Sequence, residues 1–156
     1  MYPSLCPLRS QDHVEVIIEA IKDGTIDCLS TDHAPHIEPE KIRPFQDAPN
    51  GTTGLETSFA GMITYLVDKK HISLAKGIEL MSIGAAKIIQ VDKGTLSVGA
   101  DADIAIFDIK KEWTVDPNKR QSKGKNCVFN GKKLKGKALH VVVGGKIKMQ
   151  DEAIVS

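Results

Sequence analysis

A short apolar segment that ends in a run of chemically active side chains is the feature that most limits how this chain of 156 residues can fold. Residues 25–29 read Thr-Ile-Asp-Cys-Leu and predict a strand, because they form a short segment bounded by Gly24. The following residues, STDHAPH (30–36), predict a loop. Active sites of parallel α/β sheets collect where strands end in this way. Asp32 could therefore hold a cation there, or accept a proton from water bound to one.

The Thr31-Asp32-His33 run also has a purely structural interpretation. The carboxylate of Asp32 could bond nearby backbone amides in a turn, with the histidines in solvent. Neither a His-x-Glu-type helix pair nor a paired-cysteine signature accompanies the run. The spacing alone leaves both interpretations open.

The composition predicts a globular cytosolic protein with an aliphatic α/β core, because 41% of the residues are hydrophobic and only 4% are aromatic. No run of 18 apolar residues is present, and the first residues lack a basic region followed by an apolar one. We therefore expect neither a membrane span nor a signal peptide. Cys6, Cys28 and Cys127 are widely spaced and odd in number, which favours reduced thiols.

Charge is distributed unevenly along the chain. The first 116 residues contain 11 basic and 18 acidic side chains, whereas the remainder contains 10 basic and 2 acidic ones. A nucleic-acid surface is one explanation of the basic part. However, its lysines alternate with Gly, Asn and Val, and Phe129 is its one aromatic residue among Phe, Trp and Tyr. Solvated edge strands use lysine in the same way, so we expect no nucleic-acid partner.

Helical periodicity dominates the first part of the chain. Val14, Ile17, Ile18 and Ile21 recur at helical spacing and predict a helix with one buried face between Ser10 and Gly24. The segment 37–54 predicts a long loop of the kind that covers or shapes a site.

Three further helices are predicted after this loop. Thr53 and Glu56 have capping-box spacing at the start of the first, and two shorter helices are predicted over 74–81 and 83–90. Glycine turns and β-rich runs then follow over 94–108 and 138–149, the second with a Gly144-Gly145 turn.

Two motifs together resemble one family. The sequence DHAPH (32–36), followed by APNGTTGLET (48–57), is similar to dihydroorotases of the bacterial multi-domain-like type in the amidohydrolase superfamily. The segments 94–108 and 122–136 resemble the parts of those enzymes that leave the barrel and close the chain. The resemblance implies an α/β fold: the C-terminal part of a metal-dependent hydrolase TIM (β/α)8 barrel over 1–91, plus a small β-sandwich extension over 92–156.

The resemblance also implies an activity and a set of site residues. Dihydroorotases interconvert carbamoyl-aspartate and dihydroorotate in pyrimidine biosynthesis and hold one or two zinc ions. Asp32 matches the residue that ligates metal and acts as general base. His36 matches a substrate-binding histidine, with Ala34 beside it, and Asn50 and Gly51 match a loop whose backbone approaches the pyrimidine ring. His33 has no ligand role in this pattern.

Two departures from the family limit these expectations. Leu5 replaces the asparagine that the family places ahead of the first helix, where it touches substrate. A (β/α)8 barrel takes roughly 250 residues, and this chain carries no His-x-His pair. Because a catalytic zinc usually needs three protein ligands, Asp32 alone cannot hold one tightly. We expect the isolated chain to bind zinc weakly, if at all, and to be inactive.

The resemblance leaves alternatives for activity and partners. A dihydropyrimidinase or allantoinase shares the strand-end aspartate, and a non-catalytic homologue could act as a scaffold for aspartate transcarbamoylase. Because an incomplete barrel leaves strand edges open, we also expect a homo-oligomer.

Overall fold

The computed structural model describes residues 9–155, and its first element is helix α1 (Gln11–Lys22). The helix begins after Ser10 and is followed by Gly24, as predicted. The φ of Gly24 is +86°, a left-handed value that glycine adopts without the steric penalty of a Cβ atom. This turn redirects the chain into the segment that leads to Asp32.

The apolar stripe of α1 is only partly buried. Ile21 lies in the core, whereas Val14 and Ile17 are 40% and 49% exposed. The prediction that the whole stripe is buried is therefore wrong for the first two turns of the helix. The elements formed by residues 9–155 leave these two side chains in contact with solvent.

The strand predicted over 25–29 does not form a ladder. Residues 26–29 belong to no helix or strand, and the N–H of Leu29 donates to the carbonyl of Leu80 at 3.0 Å. The N–H of Ile26 turns back to the carbonyl of Ala20 at 2.9 Å. A strand needs a neighbouring strand to complete its hydrogen bonds, and the described part of the chain places none beside this segment.

Four further helices follow α1 along the described part of the chain. The short helix α2 (Glu38–Lys41) interrupts the long loop. After a 3₁₀ turn, α3 (Ser58–Met62) continues as a π-type segment, and α4 (Leu74–Met81) and α5 (Ile83–Ile88) follow. The prediction of two helices in the last stretch is confirmed, and the hydroxyl of Ser73 caps α4 by accepting the N–H of Lys76.

The capping box predicted for Thr53 and Glu56 is wrong. The Glu56 carboxylate accepts the N–H groups of Gln121 and Ser122 at 3.2 and 3.1 Å. The hydroxyl of Thr53 donates to the carbonyl of Asn126 at 3.2 Å. Both side chains therefore join the helix start to a distant loop rather than to each other.

The β-rich part is one antiparallel sheet in the order β1-β2-β3-β4. Its strands are β1 (Ile104–Thr114), β2 (Lys133–Val143), β3 (Lys146–Gln150) and β4 (Ala153–Ile154). The predicted turn at Gly144 and Gly145 joins β2 to β3, with φ values of +55° and +75°. Positive φ at both central residues matches the twist of a two-residue hairpin.

The core lies where β2 crosses α3. Leu134 is 1% exposed and packs with three other buried residues. These are Ala60, Val115 and Cys127. Gly136 has a φ of +93°, and a Cβ there would stand 3.1 Å from Ile63 Cγ1 and 3.2 Å from Phe59 Cε1. The strand can therefore approach the helix closely because this position lacks a side chain.

These elements place the helices before the sheet along the chain. The boundary expected between residues 91 and 92 stays a prediction. No helix within residues 9–155 combines the length and the apolar character required to cross a membrane.

The buried position of Leu134 generates a stability prediction. Leu134→Ala should lower the free energy of unfolding by about 2–5 kcal/mol, since it removes buried methyl groups and leaves a cavity. Leu96, which is 78% exposed, supplies the control: Leu96→Ala should stay within about 0.5 kcal/mol of the wild type. Urea unfolding followed by circular dichroism measures both. Equal effects of the two substitutions would contradict the assignment of the core.

Candidate active site

The candidate site is built from two loops that run side by side. His33 and Thr52 form an isolated parallel bridge, and the N–H of Ala34 donates to the carbonyl of Thr52 at 2.9 Å. This pairing brings the DHAPH sequence (32–36) against the loop that carries Asn50 and Gly51. All five residues predicted for the site lie on these two segments.

The carboxylate of Asp32 is exposed and is not used in a turn. Its φ is +44°, in the left-handed region that aspartate tolerates better than most residues. Among residues 9–155, no group hydrogen-bonds this carboxylate or pairs with its charge. The purely structural interpretation of Asp32 therefore does not describe this conformation. The carboxylate is available to accept a proton or to bind a cation.

The neighbouring His33 is used for structure. Its Nδ1 accepts the N–H groups of Gly54 and Leu55 at 3.0 and 3.3 Å. Because Nδ1 acts as an acceptor, the ring proton of the neutral imidazole lies on Nε2. His33 thus fixes the backbone directly after Asp32 to the start of the following 3₁₀ turn.

His36, Ala34 and Gly51 are in close contact, and we call these three residues the substrate face. Gly51 is buried with a φ of +129°, and a Cβ there would stand 2.6 Å from Ala34 Cβ and 3.1 Å from His36 Nε2. On its other side, the His36 ring places Nδ1 3.4 Å from Glu40 Oε2. Asn50 precedes Gly51 and is exposed.

Asn126 joins the two loops and was not predicted as a site residue. It is 5% exposed, and its Nδ2 donates to the carbonyls of Ala34 and Gly51 at 3.0 and 3.1 Å. Its Oδ1 accepts the N–H of His36 at 2.9 Å. The side chain thus contacts every member of the substrate face. The only sequence signal was the family resemblance around 122–126, because its partners lie far away along the chain.

Lys41 is the second residue that sequence reasoning missed. Its side chain is 3% exposed, and Nζ donates to the carbonyls of Pro49 and Gly51 at 2.8 and 3.1 Å. Burial lowers the pKa of the Lys41 ammonium from its ordinary value. A lysine inside a proline-rich, charged loop suggests solvent exposure, so nothing in the sequence pattern predicts a buried cation at this position.

The described residues do not by themselves fit a zinc site. Within residues 9–155, no three side chains of His, Cys, Asp or Glu lie close enough together to hold a metal ion. Asp32 is one suitable oxygen donor, whereas Nδ1 of His33 is already engaged with backbone N–H groups. The arrangement therefore offers one ligand rather than the three that a catalytic zinc usually takes. Leu5, the predicted departure from the family, lies outside the described residues.

Comparison with known sequences identifies the family. The model of the amidohydrolase family matches residues 6–148, and the chain therefore belongs to this family. It is 42% identical over 149 residues to a dihydroorotase of Acetivibrio thermocellus and 46% identical over 141 residues to one of Geobacter metallireducens. The alignments cover 96% and 90% of this chain but only 35% and 33% of those relatives. The resemblance read from the motifs is confirmed, and the chain spans about a third of the length of these relatives.

Solved structures match over almost the whole chain. A dihydropyrimidinase from Brevibacillus agri NCHU1002 superposes with a TM-score of 0.91 at 27% identity. An L-hydantoinase from Arthrobacter aurescens gives 0.90 at 33% identity. Each match covers 99% of this chain and 35% of the solved one. The predicted fold class, the C-terminal part of an amidohydrolase barrel with a β extension, is confirmed; within residues 9–155 the extension is one four-stranded antiparallel sheet, where a small β-sandwich was predicted.

Gly51 generates a prediction that separates steric contact from backbone strain. Gly51→Ala would place a Cβ against Ala34 and His36 and should destabilise the chain. Gly131 also has a positive φ, +72°, but no atom lies within 4 Å of its Cβ position. Gly131→Ala should therefore cost only about 1–2 kcal/mol of unfolding free energy, whereas Gly51→Ala should cost clearly more. Chemical denaturation measures both, and similar values would show that Gly51 is not closely packed.

The depressed pKa of Lys41 generates a prediction about pH. Since the folded pKa lies below the ordinary value of 10.5, the unfolded chain binds this proton more readily. The resulting penalty is fully present below the folded pKa and is relieved as the pH rises toward 10.5. Relative to Lys41→Met, the wild type should therefore gain stability as the pH rises toward 10.5, the ordinary pKa of the lysine ammonium.

Urea unfolding at several pH values measures this difference. Lys69 is exposed and supplies the control, because Lys69→Met should differ from the wild type by the same amount at each pH. The burial of the ammonium would be contradicted if the stability of the wild type relative to Lys41→Met stayed constant or fell as the pH rises.

Proposed function

We propose that this chain forms part of a dihydroorotase, a zinc-dependent hydrolase of cyclic amides that interconverts dihydroorotate and carbamoyl-aspartate. The observation that supports this most directly is the exposed Asp32 residue, whose carboxylate has no partner among residues 9–155 and which shares the DHAPH loop with Ala34 and His36 of the substrate face. It occurs in a chain that is 42–46% identical to proteins named dihydroorotase. A free carboxylate next to a shaped binding loop is what acid–base hydrolysis of an amide requires.

The proposed chemistry assigns the proton transfers to Asp32. In the hydrolytic direction, the Asp32 carboxylate accepts a proton from the attacking water while the water oxygen bonds to the ring amide carbon. Asp32 then gives this proton to the amide nitrogen as the C–N bond breaks, which yields carbamoyl-aspartate. The proton is thus returned within the same turnover, so Asp32 ends as a carboxylate.

The substrate face is proposed to bind and orient the ring. His36 would donate a hydrogen bond to the substrate carboxylate, while the exposed Asn50 and the backbone of Gly51 approach the ring. Among the described residues, the N–H of Gly51 has no acceptor, so it remains available to a ligand carbonyl. Ala34 leaves room at this position because its side chain is a single methyl group.

Zinc belongs to the proposal through the family. When bound, zinc lowers the pKa of its water and so supplies a better nucleophile. Asp32 would be one of its ligands. Because residues 9–155 provide no set of three ligands, we expect this chain alone to bind zinc weakly and to be inactive.

A hydantoinase or dihydropyrimidinase activity is the second candidate. The solved structures that match the chain carry those names, with TM-scores of 0.91 and 0.90. These names denote enzymes that act on related cyclic ureides and amides. The same placement of Asp32 and the substrate face would suit hydrolysis of such rings. The sequence relatives favour the first candidate because their identity to this chain is higher.

Association with other chains is also part of the proposal. Helix α1 exposes Val14, Val16 and Ile17, and burial of this surface would favour a homo-oligomer. A scaffold role toward aspartate transcarbamoylase remains an expectation from the family resemblance, and a cytosolic location remains one from the amino-acid sequence.

An activity assay tests the proposed function. The longest form of the protein that its gene encodes should hydrolyse dihydroorotate in preference to hydantoin and allantoin. Asp32→Asn should lower kcat by about 10²–10⁴-fold, because an amide cannot relay the proton. The exposed Asp47 supplies the control, and Asp47→Asn should leave kcat within about twofold. A preference for hydantoin, or full activity of Asp32→Asn, would count against the proposal.

A further inference from the structure

The DHAPH sequence (32–36) is held at its two ends by different parts of the chain. At the Asp32 end, the ring of His33 accepts the N–H groups of Gly54 and Leu55. At the His36 end, the backbone is bonded to Asn126, which lies on a loop that returns from the sheet. We call residues 120–128 the return loop. The two anchors share no hydrogen bond.

Asn126 connects the return loop to both site loops at once. Its side chain bonds all three members of the substrate face, as described above. Its backbone carbonyl accepts the N–H of Thr53 at 2.8 Å and the hydroxyls of Thr52 and Thr53, each at 3.2 Å. An amide is required here, because one atom donates to two carbonyls while the other accepts an N–H group. A carboxylate of the same shape would place an acceptor against two acceptors.

Lys41 and Asn126 both donate to the carbonyl oxygen of Gly51. The Gly51 oxygen accepts from Lys41 Nζ at 3.1 Å and from Asn126 Nδ2 at 3.1 Å. Two donors on one carbonyl fix the orientation of that peptide plane, because the peptide unit is planar. The position of Gly51 relative to Ala34 and His36 is therefore set by two buried side chains that sequence motifs did not indicate.

Gly124 strengthens the contact between the return loop and the substrate face. A Cβ at this buried position would stand 2.7 Å from Pro35 Cβ and 2.8 Å from the backbone N of His36. The return loop therefore lies directly against the His36 end. Next to the Asp32 end, a Cβ at Gly54 would stand 2.8 Å from Thr31 Cβ.

We propose that Asn126 and Lys41 are positioning residues that set the substrate face, while His33 independently positions Asp32. The proposal rests on the proposed function for its kinetic part. Loss of Asn126 or Lys41 should weaken substrate binding, because His36 and Gly51 move while Asp32 stays anchored. Loss of His33 should instead reduce the chemical step.

Amide hydrogen exchange in this chain tests the anchoring without any catalysis. In Asn126→Asp, exchange at the Ala34 and Thr53 amides should accelerate at least about tenfold, whereas Val141 within β2 should be unchanged. The exposed Asn130 supplies the matched control, and Asn130→Asp should alter none of these amides. If Asn126→Asp does not fold, Lys41→Met and its control Lys69→Met give the same comparison. Unchanged exchange at Ala34 and Thr53 in a folded variant would overturn the anchoring.

Steady-state kinetics of the longest encoded form test the division between the two anchors. Asn126→Asp and Lys41→Met should raise KM for dihydroorotate about tenfold and leave kcat within about threefold, whereas His33→Ala should mainly lower kcat. Equal loss of kcat in all three variants would overturn the proposal, since a general structural role produces that result. A wild type that is inactive toward dihydroorotate would reject the proposed function, and hydrogen exchange would still decide the anchoring.

Discussion

The hydrogen bonds of the Asn126 side chain hold together the parts of this molecule that matter for function. One amide joins the DHAPH loop, the Gly51 loop and the return loop, and it is 5% exposed. A buried amide without partners would cost several kcal/mol, so its three side-chain hydrogen bonds are needed for stability as well as for placement. Asn126 therefore couples the return loop to the site loops, and Glu56 adds a second link through the N–H groups of Gln121 and Ser122.

The buried ammonium of Lys41 imposes a second constraint on the same loop. A charge that is removed from water must be compensated by hydrogen bonds, and two backbone carbonyls supply part of this compensation. A loop that moved away from Lys41 would lose these bonds while the ammonium was still shielded from water. The cost of burial thus favours one loop conformation, which suits a loop whose backbone must meet a rigid ring.

Local features of the fold could be predicted from the sequence, and non-local ones could not. Helix α4 and the Gly144-Gly145 turn were predicted correctly, because helical periodicity and positive-φ glycines act within a few residues. The strand predicted over 25–29 did not form, because a strand needs a neighbouring strand to complete its hydrogen bonds. The capping-box prediction for Glu56 was wrong because its carboxylate accepts the N–H groups of Gln121 and Ser122, which lie far along the chain, instead of an N–H group at its own helix start.

The same distinction applies to the site. Asp32, His36 and Gly51 belong to the two short motifs that carry the family resemblance, although their roles stay predictions. Asn126 bonds Ala34 across 92 positions of the chain, and no periodicity or local motif encodes such a pairing. The buried state of Lys41 likewise follows from the return of the Gly51 loop over α2, which composition cannot reveal.

Glycine explains how three backbone segments can meet so closely around the DHAPH loop. Gly51 and Gly124 face this loop and Gly54 faces Thr31 just before it, and a Cβ at any of them would stand 2.6–2.8 Å from the Cβ of Ala34, Pro35 or Thr31. Such distances exclude even an alanine unless the backbone moves. Because a Cβ atom is fixed to its backbone and cannot rotate away, each contact limits how far the two segments concerned can approach each other. Close packing does not by itself orient the loop, and the side chains of His33 and Asn126 hold its two ends through separate hydrogen bonds to backbone groups.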